Sequence, residues 1–140
     1  MKKSNNNKNI ERSWYLCDIN GKVLGRESSK IASILQGKHL TKFSRNSDCG
    51  DNVIVINASK FILTGSKMDT KMYYKHTGYI GNLKQVSLKE KLVKSPCDIV
   101  KRSVAGMLPK NLLRDSMLKR LHIYSGEEHP HKNIKAINTI

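Results

Sequence analysis

Gly50-Asp51-Asn52-Val53-Ile54-Val55-Ile56-Asn57-Ala58 is the stretch that decides the fold. Val53 to Ile56 is a continuous β-branched run with no polar residue at alternate positions, so it reads as a strand covered on both faces. Asp48-Cys49-Gly50-Asp51-Asn52, just before it, has the chemistry of a turn. Upstream of that, Lys38-His39-Leu40-Thr41-Lys42-Phe43-Ser44-Arg45 is a basic connection. Gly25 to Gln36 reads as a helix, with Leu24, Ile31, Ile34 and Leu35 on one face, and Ser28 or Ser29 is the expected cap. Gly37 stands where a left-handed C-terminal residue belongs. Further upstream, Trp14-Tyr15-Leu16-Cys17-Asp18-Ile19 is a short apolar strand stopped by Asn20-Gly21. Strand, helix, basic loop and buried strand make a βαβ unit, and that unit requires a parallel sheet.

Downstream the signals are shorter. Ala58 to Leu63 reads as a helical turn leading into a short strand. Met72-Tyr73-Tyr74-Lys75-His76 and Leu83-Lys84-Gln85-Val86 are two antiparallel arms around Gly78-Tyr79-Ile80-Gly81. Ser87-Leu88-Lys89-Glu90 is a capping box, and Pro96 takes the first position of the next helix. Ile99, Val100, Ser103, Val104 and Met107 form the inner stripe of that helix, and Pro109 closes it. Leu112, Leu113, Met117 and Leu118 give another amphipathic helix, with Lys110, Arg114, Lys119 and Arg120 expected on its outer surface. Leu121-His122-Ile123-Tyr124 is a last strand candidate. The expected organisation is a flexible tail at 1–12, one α/β domain at 13–126 and an extended tail at 127–140.

The balance of 26 Lys+Arg against 11 Asp+Glu leaves a net charge of +15. The surplus is dispersed along the chain and not gathered into one block, as expected of a folded body that faces a polyanion from several sides. With 38% apolar but only 6% aromatic residues, the core is aliphatic. No apolar run approaches the roughly 18 residues of a membrane span, and the opening residues carry neither a secretory nor an import pattern. Cys17, Cys49 and Cys97 are too few and too scattered for a disulfide framework or a common zinc motif, which suits a reducing compartment.

No phosphate-cradling glycine motif is present, since Thr64-Gly65-Ser66-Lys67 lacks the upstream glycine it would need. Gly78-x-x-Gly81 has the spacing of the clamping loop in KH RNA-binding modules, but its strand-like flanks make it a hairpin tip. Asp48, Asp51 and His76 could be arranged as a metal-dependent nuclease site, yet turn chemistry already accounts for both aspartates. His129-Pro130-His131 lacks the further ligands a metal ion needs and suits contact with nucleic acid better. No catalytic residue, metal, cofactor or small-molecule substrate is expected.

Taken in order, the motifs resemble the L13 family of large-subunit ribosomal proteins, bacterial type. The match runs through Trp14-Tyr15, Gly21-Lys22-x-Leu24-Gly25-Arg26, Leu35-x-Gly37-Lys38-His39 and Gly50 to Ala58. It continues through Thr64-Gly65-x-Lys67, Lys71-x-Tyr73-Tyr74-x-His76-Thr77-Gly78-Tyr79-x-Gly81 and Gly106-Met107-Leu108-Pro109-Lys110, and ends at Tyr124-Ser125-Gly126-x-x-His129-x-His131. Departures from the family pattern fall at Glu27, Ser44-Arg45-Asn46, Ala105 and Asn111 to Asp115. The resemblance implies a three-layer α/β/α domain with a mainly parallel central sheet and a protruding hairpin. It also implies a structural constituent of the large subunit that enters assembly early and touches rRNA and neighbouring ribosomal proteins. The ribosome would be that of a bacterial cytoplasm or of an organelle with its own genome. The rival readings are a free regulator that binds messenger RNA and, behind it, the nuclease. The residues expected on RNA are Lys38, His39, Lys42, Lys75, His76, Lys110, Arg114, Lys119, Arg120, His129 and His131. Reversing Arg114, Lys119 and Arg120 to Glu is expected to weaken incorporation and spare the fold.

Overall fold

The structure is a computed structural model, and it describes residues 12–131 and 138–139. In chain order the elements are β1 (Trp14–Asp18), α1 (Leu24–Gln36), β2 (Asn52–Ile56), α2 (Lys67–Thr70), β3 (Met72–His76) and β4 (Leu83–Ser87). They continue with α3 (Leu88–Lys94), α4 (Pro96–Met107), α5 (Arg114–Lys119), β5 (Leu121–Ile123) and β6 (Asn138–Thr139). The sheet runs β5-β2-β1-β6, and every pairing in it is parallel. β3 and β4 form a separate antiparallel hairpin. The α/β class, the parallel sheet and the hairpin all follow the sequence expectation.

β2 is central because its side chains are apolar on both faces. Val53, Ile54, Val55 and Ile56 are all buried. Register assigns the faces: Tyr15 lies beside Val53 and Cys17 beside Val55, while Leu16 lies beside Ile54. Cys17, Val53, Val55 and Leu121 share one cluster with Ile31 and Leu35 of α1, Ile99, Val100 and Val104 of α4, and Met117 of α5. Among the described residues, then, these helices cover one face. The opposite face carries Trp14, His122 and Tyr124, and the segment holding His129 and His131 lies across it in ring-to-ring contact. Residues 1–11 of the expected N-terminal tail lie outside the described residues, as do 132–137 and 140 of the C-terminal one. Asn138–Thr139, expected in an extended tail, pair with β1.

Local chemistry explains most boundaries. Gly37 ends α1 at φ 78°, a left-handed geometry without penalty for glycine. Ser87 accepts a hydrogen bond from the Glu90 N–H at 3.2 Å, which is half of the expected capping box, and Pro96 opens α4. The expected Ser28 or Ser29 cap of α1 is corrected. The helix starts at Leu24, one residue before the expected Gly25, so both serines lie within it, and the Leu24 N–H donates to the Ile62 carbonyl at 3.1 Å. Ser28 is fully buried and bonds Ser103 of α4 at 2.8 Å instead, so it joins the two helices. Two further expectations fail, one at the last residue of α4 and one where the expected helix starts only at Arg114. Met107 is 40% exposed and Leu112, which precedes α5, is 97% exposed.

Because β2 is sealed on both sides, Ile54→Asp and Val55→Asp each bury an unpaired charge. Each is expected to abolish the cooperative unfolding transition seen by circular dichroism. A near wild-type transition in either variant would show that its face is open to water.

Candidate nucleic-acid interface

Carboxylates decide which cations remain available. Asp48 is taken by Arg120, whose two terminal nitrogens each donate to one carboxylate oxygen, and Arg12 lies 3.5 Å away. Asp51 is buried, accepts the Ser13 N–H at 2.9 Å and meets His39 Nε2 at 2.8 Å. Glu27 is buried in α1 with Lys30 at 3.0 Å and the Cys17 thiol at 3.8 Å. Burial first, and then the Glu27 charge, push the Cys17 thiol up to about 11, so it stays protonated and unreactive. Asp69 holds Lys89, and Asp98 holds Lys91 with Arg102 beside it. Asp18 accepts from the Asn57 amide and the Asn20 N–H, both at 2.9 Å, and these bonds hold its carboxyl below the usual range. The Asn57 backbone is left-handed at φ 59°, which places its amide on Asp18.

After these pairings no carboxylate among the described residues lies within ion-pair distance of Lys38, Lys42, Arg45, Lys75, Lys84, Lys94, Lys110 or Lys119. All are exposed. Lys38 and Arg45 border a hollow of about 310 Å³ with Pro109 and Asn111, so the basic loop after α1 and the loop carrying Lys110 meet there. A second hollow of about 270 Å³ lies between the hairpin and the helices and takes in Lys75, Lys84 and Lys94.

The remaining site expectations divide. Lys38, Lys42, Lys75, Lys110 and Lys119 stand in solvent as expected. Arg120 is corrected: it is 6% exposed, with its charge spent on Asp48 and further bonds to the carbonyls of Leu35 (3.2 Å) and Ser116 (3.3 Å). Arg114 is half-buried and donates to the Ala105 carbonyl at 2.6 Å. His39 is committed to Asp51 and sits edge-on to Tyr15. His76 accepts the Gly78 N–H at 2.9 Å and so shapes the hairpin turn. His129 and His131 pack against each other and against the aromatic face of the sheet. Sequence reasoning passed over Lys84, Lys94 and Arg45. The hairpin register was the available signal for Lys84, because arms closing on Gly78 to Gly81 set it directly opposite Lys75.

Sheet, hairpin and unneutralised cations define a class: a small, strongly basic α/β domain suited to a polyanionic partner. The chain belongs to the ribosomal protein L13 family, whose model, "Ribosomal protein L13", matches residues 12–130. It is 49% identical over 126 residues to the large ribosomal subunit protein uL13 of Macrococcus caseolyticus, covering 90% of this chain and 87% of that one. Identity is 52% over 122 residues to the protein of the same name in Desulfotalea psychrophila, covering 87% and 86%. To that of Geobacter sp. strain M21 it is 48% over 131 residues, covering 92% of each chain.

Two outcomes test the division of charges. Arg120→Ala leaves Asp48 half-buried with only Arg12 beside it and is expected to lower unfolding free energy by about 3 kcal/mol. Lys119→Glu should change it by less than about 0.5 kcal/mol. The triple reversal of Arg114, Lys119 and Arg120 is therefore expected to unfold the domain, a result that urea denaturation reads directly. The second outcome concerns pH. Burial, and then the charge of His131, hold the His122 imidazole below its ordinary value of 6.5. The unfolded chain takes up that proton first, so the contribution is complete above about 6.5 and is lost as pH falls toward the folded value. The urea midpoint should fall between about pH 7.5 and about pH 5.5, and part of that fall should be missing in His122→Gln.

Proposed function

We propose that this chain is a structural component of the large ribosomal subunit, where it binds and bridges rRNA segments by electrostatic contact with their phosphates. The observation that carries the reading is the set of exposed lysines left without carboxylate partners on separate parts of the fold. A domain with cations on the α1 loop, the Pro109–Asn111 loop and the hairpin can neutralise phosphates from more than one RNA segment. The rigid sheet fixes the spacing between them. Such contacts position RNA without reading its sequence, so discrimination comes from RNA shape. The named relatives support placement in the large subunit of a bacterial type of ribosome. Contact with neighbouring ribosomal proteins rests on the family resemblance, as does early entry into assembly. No side chain is assigned a catalytic role, and Asp48 and Asp51, the aspartates of the nuclease reading, are engaged in holding the fold.

The test joins sedimentation to salt. The native protein should travel with large subunits in a sucrose gradient. Affinity of the isolated protein for rRNA fragments should fall on the order of a thousandfold from about 50 to about 200 mM salt if about six phosphates are engaged. A flat salt profile, or sedimentation apart from subunits, would overturn the reading.

A further inference from the structure

The hollow beside the hairpin joins an apolar floor to a rim of lysines that oppose one another. Tyr73 and Val86 face each other across the hairpin, both part-buried, and line its base. The Tyr73 ring is set by cations. Lys91 Nζ lies 4.8 Å from its centroid and the Arg102 guanidinium 5.4 Å, and both are also held by Asp98. Burial raises the Tyr73 phenol above its ordinary value, so the floor stays uncharged. At the rim, Lys75 and Lys84 stand directly opposite one another, and Lys94 at the end of α3 faces the same space. Like charges opposed across an antiparallel pair repel and weaken the hairpin. No carboxylate among the described residues relieves them. An anion from outside the chain would.

A bare phosphate or a duplex backbone would satisfy the rim and leave the floor unused. A nucleotide whose base is free of a duplex satisfies both, since its flat ring covers apolar surface while its flanking phosphates meet the lysines. We infer that the hollow between the hairpin and the α3–α4 junction seats an unpaired RNA nucleotide, base on Tyr73 and Val86, phosphates on Lys75, Lys84 and Lys94. This rests on the rRNA-binding reading above and adds to it a preference for single-stranded RNA at one defined place.

The experiment measures binding of the full chain to a fluorescent single-stranded RNA octamer and to a blunt RNA duplex of equal length, at fixed salt. Polyglutamate serves as competitor. Lys75→Ala/Lys84→Ala removes exposed side chains and should leave folding unchanged. It should weaken octamer binding at least about fivefold through two lost phosphate contacts, and duplex binding by less than about twofold. Tyr73→Ala should reduce the preference for the octamer, and Tyr73→Phe should restore it. Lys38→Ala/Lys42→Ala, outside the hollow, should weaken both RNAs alike. Equal losses for octamer and duplex in the hairpin variant would overturn the inference and leave the general reading standing. So would polyglutamate competing as well as the octamer. Failure of the wild-type chain to bind either RNA would remove both.

Discussion

The fork between Arg120 and Asp48 is the constraint on which the rest of the structure depends. It joins segments 72 residues apart in the sequence: the turn entering the central strand and the end of α5. The same guanidinium reaches the Leu35 carbonyl in the last turn of α1. Gly50 lies beneath this junction, where an added Cβ would sit 1.8 Å from the Leu35 carbonyl oxygen. Only glycine lets the chain pass that close. Both layers of the βαβ unit and the start of β5 are therefore locked at one point. Breaking it would leave a charge stranded in a place water reaches poorly.

That constraint also organises the surface. A chain with few acids could have distributed them over its lysines, but here several are withdrawn to internal tasks. Asp48 and Asp51 anchor the turn before β2, Asp18 orients Asn57, and Glu27 lies under α1. The lysines outside are left uncompensated by the same choices that stabilise the inside. Structure and function thus draw on opposite signs of charge, and the net +15 is the residue of that division.

The main lines of the fold were legible in the sequence. A doubly apolar strand, a helix with one clear stripe and a terminal glycine, and a glycine-bounded hairpin are all local patterns, and each formed where the pattern lay. The start of α1 was legible to within one residue, but its cap was not, because the partner of its first N–H is the Ile62 carbonyl, which no local rule supplies. The cationic site was half legible. Lysines on loops could be recognised as exposed, but Arg120 could not be told from Lys119 by helical position alone. Its inward turn is decided by an aspartate far upstream that looked like simple turn chemistry. The bond of His39 to Asp51 was unseen for the same reason. In each case sequence neighbours gave the residue its type, and a distant residue gave it its role.

The position of β6 against β1 has a kinetic consequence. Tyr15 pairs with Asn138, so the sheet closes only when segments from near opposite ends of the described chain meet. Pairings of such long range are slow to form, because the connecting chain must be ordered before they are rewarded. Until that happens β1 presents an unpaired edge with its backbone donors and acceptors open, the geometry most prone to recruit a strand from another molecule. For a highly charged chain, mutual repulsion between copies guards that edge during the delay.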